Sequence, residues 1–299
     1  MKNLLLLSVF LPLTLLAQTA TPPKVLVVTA HPDDETTFSV TLYKIAHDLK
    51  GTIDLALLTD GQGGFNGSEL GSEYYRLNLT DSATGRAHLP AIRKQELLNA
   101  GRIIGIRNYL FFDQKDDHYS QDPKPYLSGQ NWDAPFIEKK LDGILAKGAY
   151  DFVLTMLPDS GQHGHHKTAT LMALRAVQRY NGAKKPVVLA GKELGAKQDF
   201  SFAGLKGYPE TRILKGAPTF AVSRIARFGH QNLLSYMIVS DWVTAEYKSQ
   251  GDLQNNGIHT GDLETFWCFD LNGGAGLAKA KDLFRQLNSS GYSNSVRQK

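Results

Sequence analysis

The sequence predicts an α/β fold: a Rossmann-like three-layer sandwich around a mostly parallel sheet, with a C-terminal extension that carries extra strands. Three observations predict it. Short apolar runs alternate with helical patterns from residue 24 to residue 190, the pattern of strands joined through crossover helices. Those runs are mostly apolar rather than alternating, as strands covered on both faces are. The chain has 299 residues, 42% hydrophobic and 21% charged, which is enough for a large core without repeat or low-complexity bias.

The elements follow in order. Val25-Leu26-Val27-Val28 is the first strand, and Phe38, Leu42, Ile45 and Leu49 then place an apolar stripe on a helix. Ile53 to Leu58 is the second strand. A helix follows through Ile92, Leu97, Ala100 and Ile104, stopped by Gly105, and then a strand at Tyr109 to Phe112. Phe136, Ile137, Leu141, Ile144 and Leu145 mark the next helix and Phe152 to Met156 the next strand. Leu171, Leu174 and Val177 lie on a helix that leads to a strand at Val187 to Leu189. Beyond residue 190 the pattern loosens: residues 191–219 read as long loops, Asn232 to Val239 and Thr265 to Asp270 as strands, and Trp242 to Ser249 as a helix.

The N-terminus sets an expectation of export. Lys2 precedes an apolar run from Leu4 to Leu16 and a small Ala17, the layout of a secretory signal peptide, and a membrane span needs about 20 apolar residues. The expected organisation is a signal peptide over residues 1–17, a Rossmann-like core over 18–190, a continuation of the same domain over 191–287, and a flexible tail over 288–299. The mature chain is then periplasmic or secreted, with no stable membrane insertion. A single cysteine, Cys268, excludes an intramolecular disulfide and a thiolate-rich metal site. Lys plus Arg 33 against Asp plus Glu 29 gives +4 without a basic tract, so nucleic acid is not an expected partner.

Two clusters carry chemistry. The first strand runs into Ala30-His31-Pro32-Asp33-Asp34-Glu35, at the edge where an open parallel sheet builds its ligand site. Three carboxylates so close repel one another, and a bound cation relieves that repulsion; the plainer alternative is a capped helix start. The second cluster, Gly161-Gln162-His163-Gly164-His165-His166, follows the strand at 152–156 and emerges at the same edge. His31, Asp34 and His166 make a three-ligand set of the kind that leaves zinc a position for water. Gly61-Gln62-Gly63-Gly64 reads as a glycine turn, since it lacks the spacing of a nucleotide-binding loop. Neither a nucleophile elbow nor His-Glu-x-x-His is present. Asp113, Asp116, Asp117 and His118 form an acidic rim loop, while Trp132, Tyr74 and Tyr75 either stack on a sugar or pack.

These residues resemble the LmbE-like, PIG-L-type zinc-dependent N-acetylglucosaminyl deacetylases, whose signature is a strand running into His-Pro-Asp-Asp-Glu. The resemblance extends to Thr59 to Gly64, to the helix of Arg93, Glu96 and Ala100 ending in Ile104-Gly105-Ile106, and loosely to Ala245 to Gln250. It implies His31, Asp34 and His166 as metal ligands, Asp33 as general base and His163 as the second catalytic group. It also implies substrate contacts at Arg93, Asp116 and His165. Two positions depart from the family: Gly164-His165 stands where Pro-Asp is common, and Tyr247 where His is common. His165 is then either a substitute orienter or a spare ligand.

The implied activity is that of an exported zinc-dependent hydrolase, with iron(II) fitting the same donors, that removes an N-acyl group, in the first instance acetyl, from an amino sugar or sugar-like conjugate through a metal-activated water. In this expectation His163 acts as an imidazolium that stabilises the oxyanion and helps protonate the leaving amine. Two alternatives stand beside it: an amidase of the same family acting on a non-sugar or thiol-conjugate amide, and a non-catalytic carbohydrate- or metal-binding protein with a degenerate site.

Overall fold

A computed structural model describes residues 21–251, 253 and 261–289. The signal-peptide expectation over residues 1–17 and most of the expected tail lie outside the described residues. Among the described residues no helix is long and apolar enough to cross a membrane.

Five strands run parallel: β1 (Lys24–Thr29), β2 (Thr52–Thr59), β3 (Ile106–Gln114), β4 (Phe152–Met156) and β5 (Val187–Leu194). The sheet is extended by β9 (Leu263–Cys268), antiparallel to β5, and by β6 (Phe220–Ser223), antiparallel to β9, in the order β3-β2-β1-β4-β5-β9-β6. A small hairpin, β7 (Arg227–Phe228) with β8 (Leu234–Ser235), stands apart. Strand order reverses between β1 and β4, so their carboxyl ends flank the crevice in which such sheets bind ligands.

The period-2 alternation of β1 divides the core. Val25 and Val27 point into one layer, with α1 (Ser39–Tyr43), α3 (Ser82–Ile104), α7 (Met237–Ala245) and the last helix, Gly273–Ser289. Leu26 and Val28 point into the other, with α5 (Ala134–Gly148) and α6 (Gly164–Arg179). Two short helices, α2 (Glu69–Tyr75) and α4 (Lys124–Leu127), lie in the connections. This is the expected three-layer fold with its C-terminal strands.

Differences from the expectation have local causes. The first helix is broken into a 3-10 turn at Asp34–Phe38, α1, and a wider π turn at Lys44–Asp48, because Thr36, Thr37, Val40 and Thr41 lose side-chain freedom in an α-helix. Its stripe still works, since Phe38, Leu42 and Ile45 are fully buried. α3 begins earlier than Ile92, at a cap where Asp81 Oδ1 accepts from Thr84 N at 2.9 Å, and ends at Gly105 with φ 92°. The strand expected over Asn232 to Val239 is wrong: only Leu234–Ser235 pairs, and Met237–Ala245 is helical. Tyr236, Val239, Ser240, Val243 and Thr244 are buried at helical spacing, and a short apolar run does not separate strand from helix by itself. The helix expected over Trp242 to Ser249 stops at Ala245, and Asn288 lies within the last helix rather than in a tail.

Candidate active site and metal centre

β1 delivers His31, Asp33, Asp34 and Glu35 to the crevice, and the loop from β4 delivers His163, His165 and His166 at the start of α6. The two sequence-distant clusters meet. His31 Nδ1 and His166 Nε2 lie 2.9 Å apart, and Asp34 Oδ1 lies 3.0 Å from His166 Nε2 and 3.7 Å from His31 Nδ1. Three donor atoms thus face a common point, with all of them within 4.8 Å of one another.

Each donor is held from behind. Asp34 Oδ2 accepts from Ala30 N at 2.8 Å and His31 N at 2.9 Å, which leaves Oδ1 turned to the imidazoles. His166 Nδ1 lies 2.9 Å from Gln162 Oε1, so this ring nitrogen carries the proton and Nε2 is the free donor. His31 Nε2 lies 2.9 Å from His165 Nδ1 and 3.6 Å from Asp116 Oδ1. Burial alone would depress His31, but Asp116 and Asp34 outweigh it and raise it to about 10. The surroundings therefore favour positive charge at this point. Two imidazoles and a carboxylate, each with an outer partner, fit a divalent metal by donor chemistry and by charge.

The three adjacent carboxylates avoid mutual repulsion by diverging. Asp34 faces the imidazoles. Glu35 turns inward, where burial lifts it to about 8 and the Tyr247 hydroxyl donates to it, so Tyr247 has a partner within the signature block itself. Asp33 faces the crevice, and its Oδ2 accepts from Arg93 Nη2 at 2.8 Å. Burial lifts Asp33 to about 6 against the pull of Arg93. Its φ of 115° is a region a non-glycine residue occupies only when its neighbours hold it there.

Several expected roles change. Arg93 is buried and spends Nη1 on Gly61 O at 2.9 Å and Nη2 on Pro32 O at 2.7 Å as well as on Asp33, so it positions the base and its loop. His165 has no exposed surface and therefore no reach to a substrate; it bridges His31 to Asp117, whose Oδ1 is 3.2 Å from His165 Nε2. Tyr126 and Trp132 pack on its ring at 4.4 and 4.9 Å, which makes Trp132 a packing residue. Tyr75 bonds Glu96, and Tyr74 is exposed outside the cleft lining. Asp116 does line the cleft, with Oδ2 accepting from Gly63 N at 3.0 Å; its carboxyl stays well below the usual range despite burial, because His31 faces it and His165 bonds it. The glycine turn is needed for close approach: a Cβ on Gly63 would meet the Asp116 carboxylate at 2.7 Å, and one on Gly64 would meet Arg93 Nη1 at 2.6 Å.

His163 caps α6. Its Nδ1 accepts from His165 N at 3.0 Å, and burial, with the neighbouring rings of His31, His165 and His166, pushes it down to about 3. Nδ1 being the acceptor, the ring's proton lies on Nε2, and these surroundings disfavour the expected imidazolium. The cleft encloses about 590 Å³. Tyr119, 69% exposed, stands at its edge with its ring 4.9 Å from that of His163; nothing in the sequence pattern marked it.

Comparison with known proteins bears on the same elements. Over 168 residues the chain is 27% identical to a Bacillus cereus protein named "Probable N-acetyl-alpha-D-glucosaminyl L-malate deacetylase 2", covering 56% of this chain and 66% of that protein. A Bacillus subtilis protein of the same name is 25% identical over 162 residues, 54% of this chain and 64% of its own length. The chain thus spans just under two thirds of each. Two solved structures share the fold at low identity: an antimicrobial pseudoaglycone deacetylase (15% identity, TM-score 0.53, 83% of this chain and 98% of that one) and a deacetylase of teicoplanin biosynthesis (17%, TM-score 0.53, 82% and 97%). The family model for GlcNAc-PI de-N-acetylases, PIG-L, matches residues 26–177, just over half of the chain and nearly all of the run from β1 to α6. The chain belongs to the PIG-L, GlcNAc-PI de-N-acetylase family.

Proposed function

We propose that the chain is a metal-dependent hydrolase that removes an N-acetyl group from an amino sugar or sugar-like molecule. One observation carries this reading: Asp33 sits beside a complete His31, Asp34 and His166 donor set, is not itself spent on that set, and faces a cleft that also holds His163. Family membership and the deacetylase names of the relatives support the same activity.

His31, Asp34 and His166 would hold the ion, which we assign as zinc, with iron(II) suited to the same donors. A divalent ion there lowers the pKa of water and polarises an amide carbonyl. Asp33, poised near neutrality, accepts the proton of the attacking water. His163 donates through Nε2–H to the oxygen that gains charge as the carbonyl is attacked. A neutral His163 has no spare proton, so Asp33 returns its own to the departing amine. The products leave as acetic acid and a free amine, which exchange a proton to become acetate and an ammonium, with no net proton change on the enzyme side chains. Tyr119 offers an aromatic face beside His163 for one side of a sugar ring.

The Leu4 to Leu16 run is read as a secretory signal, so the working chain is exported; sequencing the N-terminus of the exported protein tests this. The activity is tested by acetate release from N-acetylated amino sugars before and after chelation. Chelator-sensitive release is the expected result. Release that survives complete removal of metal would overturn the reading, as would a metal-loaded chain inert toward every acetylated amine offered.

A further inference from the structure

The signature loop is clamped from the part of the chain that the family match does not reach. Arg224, just after β6, and Glu264, in β9, both lie beyond residues 26–177. Both are buried, at 1% and 0% exposure, and neither lines the cleft. Glu264 accepts two backbone N–H bonds from α1, Val40 N at 2.9 Å and Thr41 N at 2.7 Å. Arg224 Nε donates to Glu264 Oε1 at 3.0 Å, and its Nη2 donates to Thr36 O at 2.6 Å and Thr37 O at 3.2 Å. Its Nη1 lies 2.6 Å from Glu193 Oε2 on β5.

These contacts converge on the strained residue. Thr36 N and Thr36 Oγ1 donate to the Asp33 carbonyl at 3.0 and 2.7 Å, so the turn from Asp33 to Thr36 is one hydrogen-bonded unit. Arg224 then grips the far side of Thr36, and Glu264 grips the residues that follow. Asp33 at φ 115° needs such over-determination to persist. A buried ion pair is by itself weak evidence for stability, because desolvation offsets its attraction. Its value here lies in fixing one backbone arrangement.

We propose that Arg224 and Glu264 are positioning residues: through the backbone of Thr36, Thr37, Val40 and Thr41 they hold the loop that aims Asp34 at the metal and Asp33 at the cleft. For its kinetic part this rests on the hydrolase reading above; for metal binding it does not.

The test compares the wild-type chain with Glu264→Gln, which keeps shape and one acceptor, and Arg224→Lys, which keeps charge and one donor. Asp54→Asn is the control for a purely structural polar cluster at the opposite end of β2. Zinc affinity is read by competition with a chromogenic chelator, folding by circular dichroism and thermal melting, and kcat and KM by acetate release. The expected result is zinc bound about tenfold more weakly by Glu264→Gln, the scale of outer-shell losses at metal sites, with a comparable fall in kcat and KM within about twofold. Arg224→Lys should lose less, and Asp54→Asn should lower the melting temperature without moving either quantity. Folded Glu264→Gln and Arg224→Lys chains with wild-type zinc affinity would overturn the proposal, as would Asp54→Asn shifting affinity as much as they do. If the wild type binds zinc and releases no acetate, the hydrolase reading fails and the zinc affinities alone decide this one.

Discussion

Residues 24–194 and residues 195–289 build structure in different ways. In the first stretch the parallel strands are joined through helices that cover the two faces of the sheet, and the reactive side chains lie at strand ends. In the second, short strands, turns and helices among the described residues send buried polar groups back into the first. Tyr247 reaches Glu35, Ser249 N and Ser249 Oγ reach Glu96 at 2.8 and 2.6 Å, and Glu264 reaches α1. The contrast teaches that the chemistry resides in one region while part of its geometry is imposed by the other. A family match confined to residues 26–177 can therefore contain every reactive group and still omit groups that aim them.

This division can be broken or sharpened by substitution. The largest effect is expected from His166→Ala, which removes a donor from the set: bound metal by elemental analysis should fall to background and turnover with it. Retained metal at wild-type affinity would remove His166 from the ligand set. Next, His165→Leu removes the partner of His31 Nε2 while keeping the packing against Trp132, so metal affinity should weaken by about ten- to a hundredfold. An unchanged affinity would mean that Asp116 alone orients His31.

Tyr119→Ala should raise KM several-fold and leave kcat close to wild type, as removing a binding face does; a fall in kcat at constant KM would instead place Tyr119 in the chemistry. The smallest effect on activity is expected far from the crevice. Asp54 accepts from Arg107, Asn108 and Tyr150, bonds that together outweigh burial and hold its carboxyl below its ordinary 3.8. A depressed acid contributes stability above its unfolded pKa and loses that contribution as pH falls through the folded one. Asp54→Asn should therefore cost ~2 kcal/mol near neutrality, about 5 °C in melting temperature, with the deficit shrinking below about pH 4 and kcat unchanged throughout. A deficit that stays constant with pH would deny the charge its part.

How far the sequence alone reached follows from the range of the interactions involved. His31, Asp33, Asp34 and His166 were readable because each belongs to a contiguous block at the end of an apolar run, and strand parallelism brings such ends together. The charge of His163 was not, since it depends on burial and on three imidazoles that meet only in the folded chain. The resemblance left His165 as a substrate contact, an orienter or a spare ligand; its bond to His31 Nε2 fits the orienter, and its position under Tyr126 and Trp132 is a matter of packing from α4 and the segment after it. Arg224 and Glu264 sit in the stretch where periodicity was weakest, and one of the strands expected there is α7. The strand that carries Glu264 was legible at Thr265 to Asp270, but what Arg224 and Glu264 hold was not, because their partners lie about 190 to 220 residues away in the chain.

The central claim is that adjacent carboxylates do separate work, Asp34 as ligand and Asp33 as base. Its most direct test is the metal content of the Asp33→Asn chain, measured alongside its turnover. The result expected is about one metal per chain, as in the wild type, with kcat lowered by about a thousandfold or more. An Asp33→Asn chain that loses its metal, or one that keeps its turnover, would contradict the assignment.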